Sequence, residues 1–60
     1  MKLKMKLIEG GEIKIPQESI LQFWAEKPDT TKIEYEDESG KTLTVEVAHP
    51  MYAIAQGVAA

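Results

Sequence analysis

Three stretches of this chain alternate strictly between apolar and polar side chains, and that period commits most of it to β-structure. In KLKMKL, residues 2–7, Leu3, Met5 and Leu7 fall on one side and Lys2, Lys4 and Lys6 on the other. A period of two is what a half-buried strand requires, because successive side chains point to opposite faces. Ile13 and Ile15 resume the pattern after Gly10 and Gly11, where glycine accepts the positive φ of a tight turn at no steric cost. Residues 2–15 are therefore expected to form a β-hairpin. Further on, Ile33 and Tyr35 alternate with Lys32, Glu34 and Glu36, and Leu43, Val45 and Val47 alternate with Thr42, Thr44 and Glu46. The polar DESGK between them reads as a turn with Gly40 at its tip, so residues 32–47 predict a second hairpin.

Between the hairpins the pattern changes. Pro16 cannot donate a ladder hydrogen bond and suits the first turn of a helix. Ile20, Leu21, Phe23 and Trp24 then fall at i, i+1, i+3 and i+4, the stripe of an amphipathic helix. Glu18 would sit in its first turn, where the helix dipole favours a carboxylate, and Pro28 lies just past its end. The spacing predicts a short helix over 17–26. Pro50 is expected to open a helical tail over 50–59, with Met51, Ile54 and Val58 as its stripe. That tail has no charged side chain, so two readings stand open: it packs on its own sheet, or it docks on another chain. The fold class expected is a small α+β domain spanning 1–60, hairpin, short helix, hairpin and helical tail.

A chain of 60 residues buries only about 60% of the surface it exposes when unfolded. It has no cysteine, and the single histidine, His49, cannot build a zinc site. Assembly is the remaining support for so small a core, which points to a homo-oligomer or a protein partner. No apolar run reaches the ~18 residues of a membrane span, and no signal-peptide core follows Met1. A cytoplasmic protein without membrane contact is expected.

The net charge of −3 hides an asymmetry. Residues 1–16 hold four lysines against two glutamates, +2, whereas 17–60 hold three lysines against eight carboxylates, −5. Arginine is absent, which argues against bidentate reading of bases. Lys2, Lys4, Lys6 and Lys14 admit two readings. They form a solvated face that blunts an edge strand, or a phosphate-contacting surface of modest, salt-sensitive affinity.

No catalytic constellation stands out. Ser19 and Ser39 lie in no nucleophile motif, and His49 before Pro50 reads as a turn residue. The carboxylates at 34–38 read as a solvated edge rather than an acid/base pair. The chain is expected to be non-enzymatic and to need no cofactor and no metal. Phe23 and Trp24 cannot both face the centre of a small core from one short helix, so one of them is expected at a dimer seam or as an interface anchor.

Gly11, Ile13, Ile15, Pro16 and Glu18 follow the pattern G-x-I-x-I-P-x-E, and over roughly 3–47 the chain resembles the AbrB/MazE family of swapped-hairpin transcription regulators and antitoxins. Asp29, Ile33 and the acidic, glycine-containing turn before Leu43 and Val45 fall at that family's spacing. The resemblance implies an intertwined homodimer that contacts DNA through its first hairpin, which would place Lys2, Lys4, Lys6 and Lys14 at the polyanion. The arginines with which that family contacts DNA are missing here. QESIL at 17–21 is similar to the edge-strand segment of phage uracil-DNA glycosylase inhibitors, acidic proteins that mimic DNA. KP at 27–28, YEDES at 35–39 and HPMY at 49–52 resemble that family's later strands. This likeness implies a protein partner and an extended 17–21, where the first implies a helix. A small accessory subunit of a larger assembly, such as a viral particle, is a third class that suits the apolar tail. Candidate partner-binding residues are Glu18, Ile20, Leu21, Trp24, Met51, Tyr52 and Ile54.

Overall fold

The computed structural model describes residues 2–56. The first hairpin forms as expected: β1 (Lys2–Lys6) pairs antiparallel with β2 (Glu12–Pro16), with Leu3 opposite Ile15 and Met5 opposite Ile13. Its turn is closed by the Leu7 N–H donating to the Gly11 carbonyl at 3.1 Å and the Gly10 N–H to the Leu7 carbonyl at 3.1 Å. Gly10 and Gly11 adopt φ of 105° and 84°, a region that costs an L-residue. A Cβ on Gly11 would meet nothing within 4 Å, so backbone strain is the whole penalty. Gly11→Ala is expected to lower stability by about 1 kcal/mol, read from a urea melt.

The helix expected over 17–26 does not form. Gln17–Ser19 make a single 3₁₀ turn, Ile20 is already extended at φ −76° and ψ 120°, and β3 runs from Ile20 to Lys27. The reason lies in the register with β4 (Thr30–Glu36): Ile20 stands opposite Tyr35 and Phe23 opposite Ile33. Three steps on β3 therefore match two on β4, and a β-bulge absorbs the extra residue. The bulge puts Ile20 and Phe23 on the same face at i and i+3, a helix-like spacing in a strand. A second irregularity falls between Ala25 and Lys27, just before the tight turn at Pro28 and Asp29.

The second hairpin, β4 with β5 (Thr42–Val47), keeps the expected pairing, with Ile33 opposite Val45 and Thr31 opposite Val47. β3 extends it into a three-stranded meander in the order β3-β4-β5. Among the described residues the architecture is mostly strand with one short helix, α1 (Met51–Ala55), inside the expected 50–59 tail. Val58 lies outside the described residues.

The two sheets face each other across one core of Leu3, Met5, Ile15, Ile33, Val47 and Ile54. They join where Leu7 bridges Val47 and the Ala48 N–H donates to the Lys6 carbonyl at 2.7 Å. The helix α1 packs on β3 and β4 through Ala53 and Ile54. Thr31 is fully buried, and its hydroxyl donates to the His49 carbonyl at 2.7 Å. The Thr30 hydroxyl is buried with no partner among the described residues. Thr30→Val keeps the shape and removes that group, so a gain of about 1 kcal/mol is expected in thermal denaturation.

Candidate interaction surfaces

Among the described residues β3 pairs only with β4, and no strand lies on its other edge. Such an edge presents a row of unpaired backbone donors and acceptors. The side chains along it split between two faces. Ile20 and Phe23 turn toward the core, whereas Leu21, on the bulge, is 55% exposed and Trp24 38% exposed. The adjacent aromatics thus part by strand alternation, one inward and one outward. Glu18 lies exposed in the 3₁₀ turn that leads into this edge.

Two of the seven candidate partner-binding residues pack in or against the core. Ile54 is 3% exposed within the core, and Ile20 is partly buried against it. The structure requires both for packing, because α1 and β3 close the open side of the two sheets. Leu21, Trp24, Met51 and Tyr52 remain at the surface.

The four lysines share one surface. Lys2, Lys4 and Lys6 alternate with buried Leu3 and Met5, and Lys14 stands directly opposite Lys4. Like charges opposite one another across a strand pair are destabilising. Glu12 relieves them, with its Oε1 3.6 Å from the Lys4 Nζ.

The outer face of the meander carries the opposite charge. Its cross-strand rows are Trp24, Lys32 and Glu46, then Gln22, Glu34 and Thr44, then Glu36 and Thr42. The Gln22 Nε2 donates to the Glu34 Oε1 at 2.7 Å, and the Lys32 Nζ lies 3.8 Å from the Glu26 Oε1. Beyond this face the turn at 37–41 is built on Asp37. Its Oδ1 accepts from the Ser39 hydroxyl at 2.7 Å and from the Ser39 and Lys41 N–H groups, each at 2.9 Å. Asp37 is therefore a turn-forming residue rather than a freely solvated charge. The Ser39 hydroxyl first, then the Lys41 N–H, hold its carboxyl below the usual aspartate range. A carboxylate with a lowered folded-state pKa stabilises the turn above the unfolded pKa, and that contribution disappears as pH falls through the folded value. Acid titration is expected to broaden the Ser39 and Lys41 amide signals together, with Asp37→Asn removing the transition.

Two clefts flank the 3₁₀ corner. One, of about 220 Å³, has Lys2 and Lys14 on one side and Glu36 and Glu38 on the other, with Tyr35 between. The second, of about 280 Å³, is lined by Leu3, Ile20, Phe23 and Ile54, with the polar Gln17 beside them. Among the described residues, no group of three or more His, Asp or Glu side chains comes together to hold a metal ion. No helix among them is long and apolar enough to cross a membrane.

Sequence reasoning placed His49 in a turn but missed its ring contact: the Lys6 N–H donates to the His49 Nε2 at 3.1 Å. No signal in the sequence links positions 6 and 49. The open β3 edge was also missed, because its apolar spacing imitates a helix. No family model matches the chain, and neither a curated protein nor a solved structure does. Both family resemblances therefore rest on their residues alone.

Proposed function

We propose that this chain is a non-catalytic, acidic protein-binding module of the uracil-DNA glycosylase inhibitor type. The observation that carries this reading is the strand that QESIL enters. Gln17–Ser19 make a single 3₁₀ turn, and from Ile20 the chain is extended along the outer edge of β3, with Leu21 and Trp24 exposed. Glu34, Glu36 and Glu46 on the outer face of the same sheet supply the negative surface that a DNA mimic needs. The partner in this reading is a protein whose nucleic-acid groove accepts an acidic strand edge.

The test is inhibition of a uracil-DNA glycosylase by the purified chain. Stoichiometric inhibition is expected, weakened at least about 30-fold by Leu21→Asp, since truncating a central interface anchor costs about 2 kcal/mol or more. No inhibition at micromolar concentration removes this class of partner.

A second reading, an AbrB/MazE-like regulator or antitoxin-type homodimer, is supported by one observation: the single surface that gathers Lys2, Lys4, Lys6 and Lys14. It would contact the DNA backbone without reading bases. A gel shift that weakens steeply with salt and is lost in Lys4→Ala/Lys14→Ala supports it. A folded monomer at micromolar concentration, with no shift at low salt, removes it.

A further inference from the structure

We propose that His49 is a proton-sensitive clasp between the first hairpin and the meander. The seam between the two sheets is short. Leu7 bridges Val47, the Ala48 N–H donates to the Lys6 carbonyl at 2.7 Å, and the Ile8 N–H donates to the Glu46 carbonyl at 3.4 Å. The Lys6 N–H donating to the His49 Nε2 at 3.1 Å completes it. The Leu7–Val47 bridge consists of those two backbone hydrogen bonds, which no proton can alter. The bond to His49 depends on the protonation state of an imidazole.

A backbone N–H is always a donor, so the Nε2 that meets it must present its lone pair. A protonated imidazole carries N–H at both nitrogens and offers none. After protonation the Lys6 N–H and the Nε2–H confront each other as two donors. The backbone that carries the ring is held from two sides. The buried Thr31 hydroxyl holds the His49 carbonyl at 2.7 Å, and Pro50 restricts the backbone of His49 from the other side. Histidine is thus anchored from β4, and the change falls on the end of β1.

The titratable residues that the packed elements bring closest in sequence and register to the contact are Lys6 on β1, Lys32 beside Thr31 on β4, Glu46 on β5 and Tyr52 on α1. Lys32 and Glu46 stand in one cross-strand row on the outer face of the meander, on the opposite side of the sheet from Thr31. Leu3, Met5 and Ile15 stay in the core, so the opening is confined to the end of β1 and the turn after it.

Amide hydrogen exchange on the full chain tests the clasp. Protection factors for Lys6, Ile8 and Ala48 are compared at about pH 7.5 and about pH 5, the range over which imidazoles take up a proton, with Ile33 as the core reference. Lys6 protection is expected to fall roughly ten-fold relative to Ile33, the loss of one hydrogen bond. His49→Phe is expected to give the low value at both pH values. His49→Gln, whose amide oxygen can accept from Lys6, is expected to give values that do not change with pH. The proposal is overturned if the imidazole signals show protonation while the three amides keep their protection. It is equally overturned if the imidazole stays neutral at about pH 5, or if His49→Phe matches the parent chain at about pH 7.5.

Discussion

Ile33→Ala is expected to lower the unfolding free energy by about 3 kcal/mol and to leave little of the domain's stability. Ile33 lies on β4, the central strand of the meander, opposite Phe23 on one side and Val45 on the other. It is 0% exposed, so truncation removes contacts on both ladders and leaves a cavity beneath the first hairpin. A domain of this size rarely has more than about 3–5 kcal/mol to lose. Thermal denaturation by circular dichroism should show a partly unfolded variant at ambient temperature. Ile8→Ala is the control: Ile8 is 52% exposed in the first turn, and a change within about 0.5 kcal/mol is expected. Equal melting of the two variants would show that Ile33 is not where the structure puts it.

Ile15→Ala tests whether two separately paired sheets make one cooperative unit. Ile15 belongs to β2, in the hairpin, and is 0% exposed against core residues of the meander. Trp24 lies in β3, in the other sheet, and reports on the meander. A single core predicts that Ile15→Ala lowers the midpoint of Trp24 fluorescence in urea, by about 3 kcal/mol in free energy. Fluorescence and circular dichroism should give coincident transitions. An unchanged Trp24 midpoint would mean that the meander is stable alone and that the hairpin merely rests on it. That result would also weaken any mechanism in which the His49 seam couples the two sheets.

Much of this architecture was legible residue by residue. The lysine and leucine alternation of 2–7 placed Leu3 and Met5 inside and three lysines outside, and both hairpins pair as that pattern requires. The common lysine surface came from the same parity, because a β-strand leaves no choice of face once its apolar set is buried. The corner at Pro16 was located correctly, but the extended course of β3 beyond it was not. The apolar spacing of Ile20 and Phe23 is shared by a helix and by a bulged strand, and nothing local separates them. Leu21 and Trp24 were singled out as contact residues and are exposed, while Ile20 and Ile54 were singled out and are needed by the core.

Local order in this chain is therefore a property of its sequence. Period-two alternation selects which side chains face inward, and glycines at 10, 11 and 40 provide the positive φ where the chain reverses. Tertiary structure alone decided the state of 17–27. A two-and-a-half-turn helix has too few internal hydrogen bonds to hold itself, whereas β4 offers a bulged ladder from Ile20 to Lys27 and a core that accepts Ile20 and Phe23. It also decided the meeting of Lys6 with His49, 43 positions apart, since contacts at that separation exist only once both sheets have closed on the same core.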